Sequence, residues 1–190
     1  WDSEGVRYAE PKLKIMGIEA VKSSTPAPCR QMIKDGLKLV MSSTEDDVIK
    51  FIEDSRKDFL KLPPEEVAFP RSVSSVDKYR GSNTIYAKGT PMHVRGSLLY
   101  NFYIKERGLE KKYALINNGE KIKFCYLKNP NPTRENVISF IQDFPKELDL
   151  ARFVDYEMQF NKAFLDPLKV ILDAIGWSVE KKVSLDSFFT

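Results

Sequence analysis

Apolar residues recur at intervals of three and four over much of the chain. Met32, Ile33, Leu37, Val40 and Met41 follow this spacing, as do Val48, Ile49, Ile52, Phe59 and Leu60. Each set predicts a helix with one buried face. Ser23-Ser24-Thr25-Pro26 precedes the first, where hydroxyls could cap free N–H groups and proline fits the opening turn. The second opens at Thr44, with Asp47 as a shorter stand-in for the Glu of a capping box. Pro63-Pro64 stops it. A polar stretch follows, with short strand candidates around Val73 and Ile85, and then a helix over 92–107 carrying Val94, Leu98, Leu99, Phe102 and Tyr103. Residues 113–116 and 122–127 predict two strands, with Asn117-Asn118-Gly119 between them as a hairpin turn. Residues 137–141 fit strand or helix, and Pro145 closes them. Phe153, Tyr156, Phe160 and Phe164 form a helical stripe. Asp166-Pro167 then caps a further helix carrying Leu168, Ile171, Leu172 and Ile175, which Gly176 stops. Residues 1–18 read as short strands with turns. The expected class is α+β with helices in the majority.

A length of 190 residues, 42% of them hydrophobic, suits one domain, or one domain and the edge of another. Apolar runs such as Val170–Leu172 are far too short to cross a membrane, and no membrane partner is expected. The N-terminus lacks the basic-then-apolar pattern of an export signal. Trp1 stands where an initiator Met would, and the residues after it already read as strand. We expect the chain to continue a longer protein. Cys29 and Cys125 lack a Cys-x-x-Cys partner and read as buried thiols.

Net charge is +3, but its distribution is uneven. Between Lys88 and Lys123 eight cations accompany three acids, whereas Thr44–Glu66 holds eight acids against four cations. One nucleic-acid-facing side would produce this, and so would an uneven but ordinary helix surface. His93 is the single histidine, so a multi-histidine metal site or a Ser-His-Asp triad has little to build from. No phosphate-binding glycine loop is present. Asp46-Asp47 and Glu65-Glu66 are adjacent pairs that point apart on a helix and read as solvated helix starts. Neither a catalytic residue nor a metal ligand is assigned.

Three segments carry positive signals. Lys12 and Lys14 precede Gly17-Ile18-Glu19, and Val21-Lys22-Ser23-Ser24-Thr25-Pro26 follows. Cations and hydroxyls around a turn and a helix start can hold phosphate oxygens, although a capped helix after a strand accounts for them too. The second segment runs from Gly89 to Asn101. His93, Arg95, Tyr100, Asn101 and the later Lys105 place polar and cationic groups beside an apolar stripe. The third is the end of the chain. Leu185, then Phe188 and Phe189, would form an apolar plug on one helical turn, suited to a partner's pocket or to the chain's own core.

The first segment resembles the distal palm motif of family B DNA polymerases. The run from Asp2 through Pro26 resembles the T-even-type bacteriophage branch of that family. Pro91-Met92-His93-Val94-Arg95-Gly96, followed by Tyr100-Asn101, is similar to a thumb motif of the same branch. The last residues resemble the Gln-x-x-Leu-x-x-Phe-Phe clamp-interaction peptide, with Lys182 in the glutamine position. The resemblance implies a distal palm segment over 1–25, a mostly helical thumb with a small β element over 26–180, and a clamp-binding tail over 181–190. It implies that Lys12, Lys14, Lys22, Ser23, Ser24, Thr25, His93, Arg95, Tyr100, Asn101 and Lys105 meet primer–template duplex. Leu185, Phe188 and Phe189 would meet the sliding clamp. The full enzyme of such a family is a nucleotidyltransferase using two magnesium ions on palm aspartates, in the cytoplasm of the infected bacterium. Those aspartates, the fingers and the proofreading exonuclease would lie in a missing N-terminal portion, the chain's third partner, so the chain alone should not polymerise. A free-standing module that binds clamp and DNA without a polymerase is the rival reading.

Overall fold

The structure is a computed structural model and describes residues 22–181. The strands expected within 1–18, together with Lys12, Lys14, Leu185, Phe188 and Phe189, lie outside the described residues. Among the described residues, six α-helical segments and a few short 3₁₀ turns accompany one small sheet. The six are α1 (Ala27–Ser42), α2 (Glu45–Phe59), α3 (Pro64–Val67), α4 (Met92–Glu106), α5 (Tyr156–Phe160) and α6 (Asp166–Ala174). Strands β1 (Phe69–Ser72), β2 (Lys121–Tyr126) and β3 (Val137–Phe140) form an antiparallel sheet in the order β1-β2-β3. The class is α+β, as the periodicities predicted.

α2 begins as its sequence dictates. The Thr44 hydroxyl accepts from Asp47 N–H, and the Asp47 carboxylate accepts from Thr44 N–H, which completes the capping box. α1 departs from expectation: Pro26 is its N-cap residue and no side chain caps it. Pro28 in the first turn carries no N–H, which leaves one donor fewer to satisfy. The expected segment does open at Asp166, but without a side-chain cap and as the continuation of an earlier helix. Asp155 caps α5 instead, its carboxylate accepting from Met158 N–H at 3.0 Å, and the helix runs on through a widened π-turn over Asn161–Leu165 into α6. Pro167 has no N–H to give the carbonyl four residues back, and the wide turn immediately precedes it. Gly176, at φ +76°, ends α6 as predicted.

Two strand expectations fail. No strand forms around Ile85. Residues 113–116 pair with no strand, so Asn117-Asn118-Gly119 leads into β2 without closing a hairpin. Strand β1 lies just before Val73, whose own N–H and C=O are met by the Glu120 carbonyl and the Gly119 N–H. The ambiguous 137–141 segment is β3.

The register Phe69↔Phe124, Arg71↔Ile122 and Phe124↔Ser139 puts these side chains on one sheet face, with Tyr126 two residues along. α4 crosses that face at β3. Gly96 permits the approach, because a Cβ there would lie 2.9 Å from Ser139 N and 3.1 Å from Ile138 C. On the α1 side Gly36 faces only side chains, with Phe51 3.3 Å and Leu168 3.7 Å from where a Cβ would stand. The core is one cluster, with Phe59, Phe140, Phe144, Phe160 and Phe164 fully buried, and both free cysteines lie inside it. Burial pushes the Cys29 thiol up to about 12 and raises Cys125 as well, so neither is a nucleophile.

Candidate nucleic-acid interface

Phe69, Phe124 and Tyr126 meet as a ring cluster on the α4 side of the sheet, with centroid separations of 5.4, 5.9 and 6.3 Å. Two cations lie on it. The Arg71 guanidinium is 5.7 Å from the Phe124 ring and Lys162 Nζ is 5.4 Å from the Tyr126 ring. These residues and Asp166 line an open groove of about 360 Å³. Arg71 lines a second groove as well, of about 440 Å³, with Ser23, Ser24, Ser72 and Lys121. It fastens the two together by donating Nη1–H to the Ser24 carbonyl at 2.9 Å.

His93 stands at the head of α4, half-buried, with its ring 6.4 Å from Phe124. Burial, and then the positive charge of Arg71, push its imidazole below the ordinary value, so it is neutral at pH 7. It can offer a hydrogen bond there but no charge. Its backbone carbonyl accepts from both the Ser97 and the Ser139 hydroxyls, which seats the start of α4 on β3.

The other expected residues divide. Lys22 and Ser23 are exposed beside the second groove and Ser24 is half-buried, whereas Thr25 is 4% exposed. Arg95 turns inward. It donates to Asn136 Oδ1, lies 3.0 Å from Met92 Sδ, and stands over the Tyr86 ring at 5.5 Å. Tyr100 is 2% exposed and donates its hydroxyl to the Ala114 carbonyl, so the structure does not bring it to this surface. Burial raises its phenol to about 12. Asn101 is taken up by one residue: Nδ2 donates to the Ile116 carbonyl and Oδ1 accepts from Ile116 N–H, each at 2.8 Å. Lys105 is exposed near the end of α4, beside a small pocket with Arg80 and Phe102.

Sequence reasoning missed Arg71, Lys162 and the ring cluster. Alternation along β2, which puts Phe124 and Tyr126 on one face, was the available signal for the rings. Arg71 and Lys162 stand 91 positions apart, and no local pattern links them. Among the described residues no group of three or more His, Cys, Asp or Glu could hold a metal ion. Nor is any described helix long and apolar enough to cross a membrane.

The fold and groove define an α+β domain with a cation-flanked, ring-floored surface on one sheet face. No protein-family model matches the chain. Along its whole length it is similar to the DNA-directed DNA polymerase of Escherichia phage RB69, at 33% identity over 194 aligned residues. It is likewise similar to the DNA-directed DNA polymerase of Enterobacteria phage T4, at 29% over 193. The chain spans 21% of the length of each. It corresponds to a DNA polymerase region of the bacteriophage kind, and the similarity extends through the stretches that carried no motif.

Proposed function

We propose that the chain is the C-terminal segment of a phage family B replicative polymerase, acting in the cytoplasm of the infected bacterium. In this reading residues 1–25 close the palm, 26–180 form the thumb that grips primer–template duplex, and 181–190 tether the enzyme to its sliding clamp. Catalysis, with its magnesium ions, belongs to the portion of the polymerase that carries the exonuclease, fingers and catalytic palm. The observation that carries the reading is the place of Arg71. It joins the Ser23–Ser24 turn to the groove of Phe124, Tyr126 and Lys162, with His93 beside Phe124, and so links cations and hydroxyls from distant parts of the chain along one surface. Such a surface suits a sugar–phosphate backbone, which is bound by charge and hydrogen bonds without regard to sequence. Lys12, Lys14, Lys22, Ser23, His93, Lys105, Arg71 and Lys162 are the proposed contacts.

The test is duplex affinity as a function of salt. Affinity should fall steeply as salt rises, and Arg71→Ala and Lys162→Ala should each reduce the log–log slope by roughly one unit. Binding that ignores salt, or variants that leave the slope unchanged, would reject the interface. The tail has its own assay. Phe188→Ala with Phe189→Ala should abolish binding to the cognate clamp and leave duplex affinity in place. Early melting of that variant, with no clamp binding by the native chain, would assign both rings to the core. Templated primer extension by the pure chain would overturn the placement of catalysis elsewhere.

A further inference from the structure

The loop 80–91 runs from the turn at Asp77–Tyr79 into α4 and carries two exposed cations, Arg80 and Lys88. Most of its hydrogen bonds are local. Ala87 N–H donates to the Tyr79 carbonyl at 2.8 Å, the Thr84 hydroxyl to Tyr86 O at 2.7 Å, and the Thr90 hydroxyl to Ala87 O at 2.6 Å. Such bonds shape a loop without fixing where it sits. Arg80 has its own neighbour in Asp77, at 3.4 Å and well exposed, which is a weak restraint.

Ile85 packs against the core, and Tyr86 supplies the long-range polar tie. Its hydroxyl donates to the Glu135 carboxylate, with the two oxygens at 2.9 and 3.1 Å, across 49 positions of sequence. A phenol on a carboxylate is a charge-assisted bond, roughly twice as strong as a neutral one. Above the same ring stands Arg95, which also donates to Asn136, the residue after Glu135. One arginine thus braces both sides of the contact from the first turns of α4.

We propose that Tyr86, Glu135 and Arg95 form a latch between the loop 80–91, the 128–136 loop and α4. They are positioning residues that hold Arg80 and Lys88 in place for a duplex backbone. This rests on the duplex-binding reading above and changes the part played by Arg95, which acts through the latch and does not itself meet phosphate.

The experiment is a cycle of variants in the full 190-residue chain, read by duplex affinity and salt slope on a mixed-sequence primer–template. Removing Arg80 and Lys88 together should lower the native slope by about two units. In a Glu135→Ala background, where affinity is already down roughly tenfold, the same pair should lower the slope by less than about half a unit. Tyr86→Phe should behave like Glu135→Ala, and guards against an alanine variant that folds poorly. Glu135→Gln, whose amide oxygen still accepts from the phenol as a neutral group, should fall between Glu135→Ala and the native chain in affinity and slope. A merely structural contact would alter melting and leave the slope cycle additive. The latch is overturned if both breaking variants keep native affinity and slope, or if Arg80 and Lys88 still contribute two units after it is broken. A native chain with no salt-dependent duplex binding overturns the duplex reading itself, which the native measurement alone reveals.

Discussion

In the two halves of α4, His93 on one side and the Tyr100–Asn101 pair on the other meet opposite surroundings. Near its start, His93 stays half-buried, its ring 6.4 Å from Phe124 and within the field of the Arg71 charge. Two turns later the buried Tyr100 and the half-buried Asn101 are taken up by the backbone of Ala114 and Ile116. Asn101 behaves as a strand neighbour would, giving one hydrogen bond to Ile116 and taking one from it. The difference teaches that a polar residue beside an apolar stripe has no fixed meaning. What covers that part of the helix decides whether it holds the fold together or faces outward.

The largest expected effect falls at the point where the halves divide. Gly96→Ala would drive a Cβ into the Ser139 and Ile138 backbone, which cannot rotate away as a side chain can. A loss of about 3 kcal/mol, the upper end for overpacking, is expected in urea unfolding. A change below about 0.5 kcal/mol would mean that α4 has room to shift on β3, and that Gly96 does not hold the two halves in place.

Asn101→Leu tests the inward half directly. It leaves the Ile116 N–H and C=O without their side-chain partner, at a cost of about 2 kcal/mol. Duplex affinity of the folded variant should equal that of the native chain. Unchanged stability with weakened duplex binding would return Asn101 to the surface on which the sequence motif had placed it.

Much of the fold was legible because its signals are local. The capping box at Thr44 and Asp47, the span of α4 and the stop at Gly176 each sit within a few residues of what they control. The failures share a different cause. Residues 113–116 have the composition of a strand, but the backbone of Ala114 and Ile116 bonds to side chains on α4, which no neighbouring residue announces. Strand β1 is disguised by Pro70, tolerated on an edge strand. Missing its register hid the fact that Arg71 shares a face with Phe124. The π-turn likewise hid Lys162, because the break expected at Asp166-Pro167 suggested two helices where one continues. The candidate site was half visible: His93 and the Ser23–Ser24 turn could be named, but the residues that join them required the sheet.

The inward half is closed beyond α4 by Glu147, which sharpens the comparison at low pH. Its carboxylate accepts from Lys112 and from the Tyr113 hydroxyl, and its backbone carbonyl accepts from Arg107 at the end of α4. The bonds from Lys112 and then Tyr113 hold its carboxyl down at about 2, against 4.5 for a free Glu. A depressed carboxyl contributes stability above the unfolded value, and that stability is lost as pH falls through the folded one. Acid unfolding should therefore steepen between pH 4.5 and about 2. Glu147→Gln should flatten that limb, and an identical acid limb in both proteins would show the cluster to be idle.

The smallest effect belongs to His93, where the outward half meets water. Burial and the Arg71 charge lower its imidazole below 6.5, so the unfolded chain takes up a proton first as pH falls. By linkage its neutral ring contributes stability above pH 6.5, and this contribution is lost as pH drops through that value toward the folded one. At pH 7.5 His93 adds no charge to the groove. His93→Gln should then change the salt slope of duplex binding by much less than the roughly one unit expected for Arg71 or Lys162. Below the folded pKa the native slope should rise while that of the variant does not. The pKa itself can be read from the imidazole proton shifts. A native slope that already rises at neutral pH, and falls by a full unit in His93→Gln, would make His93 a charged ligand and contradict the shielding that its place beside Arg71 imposes.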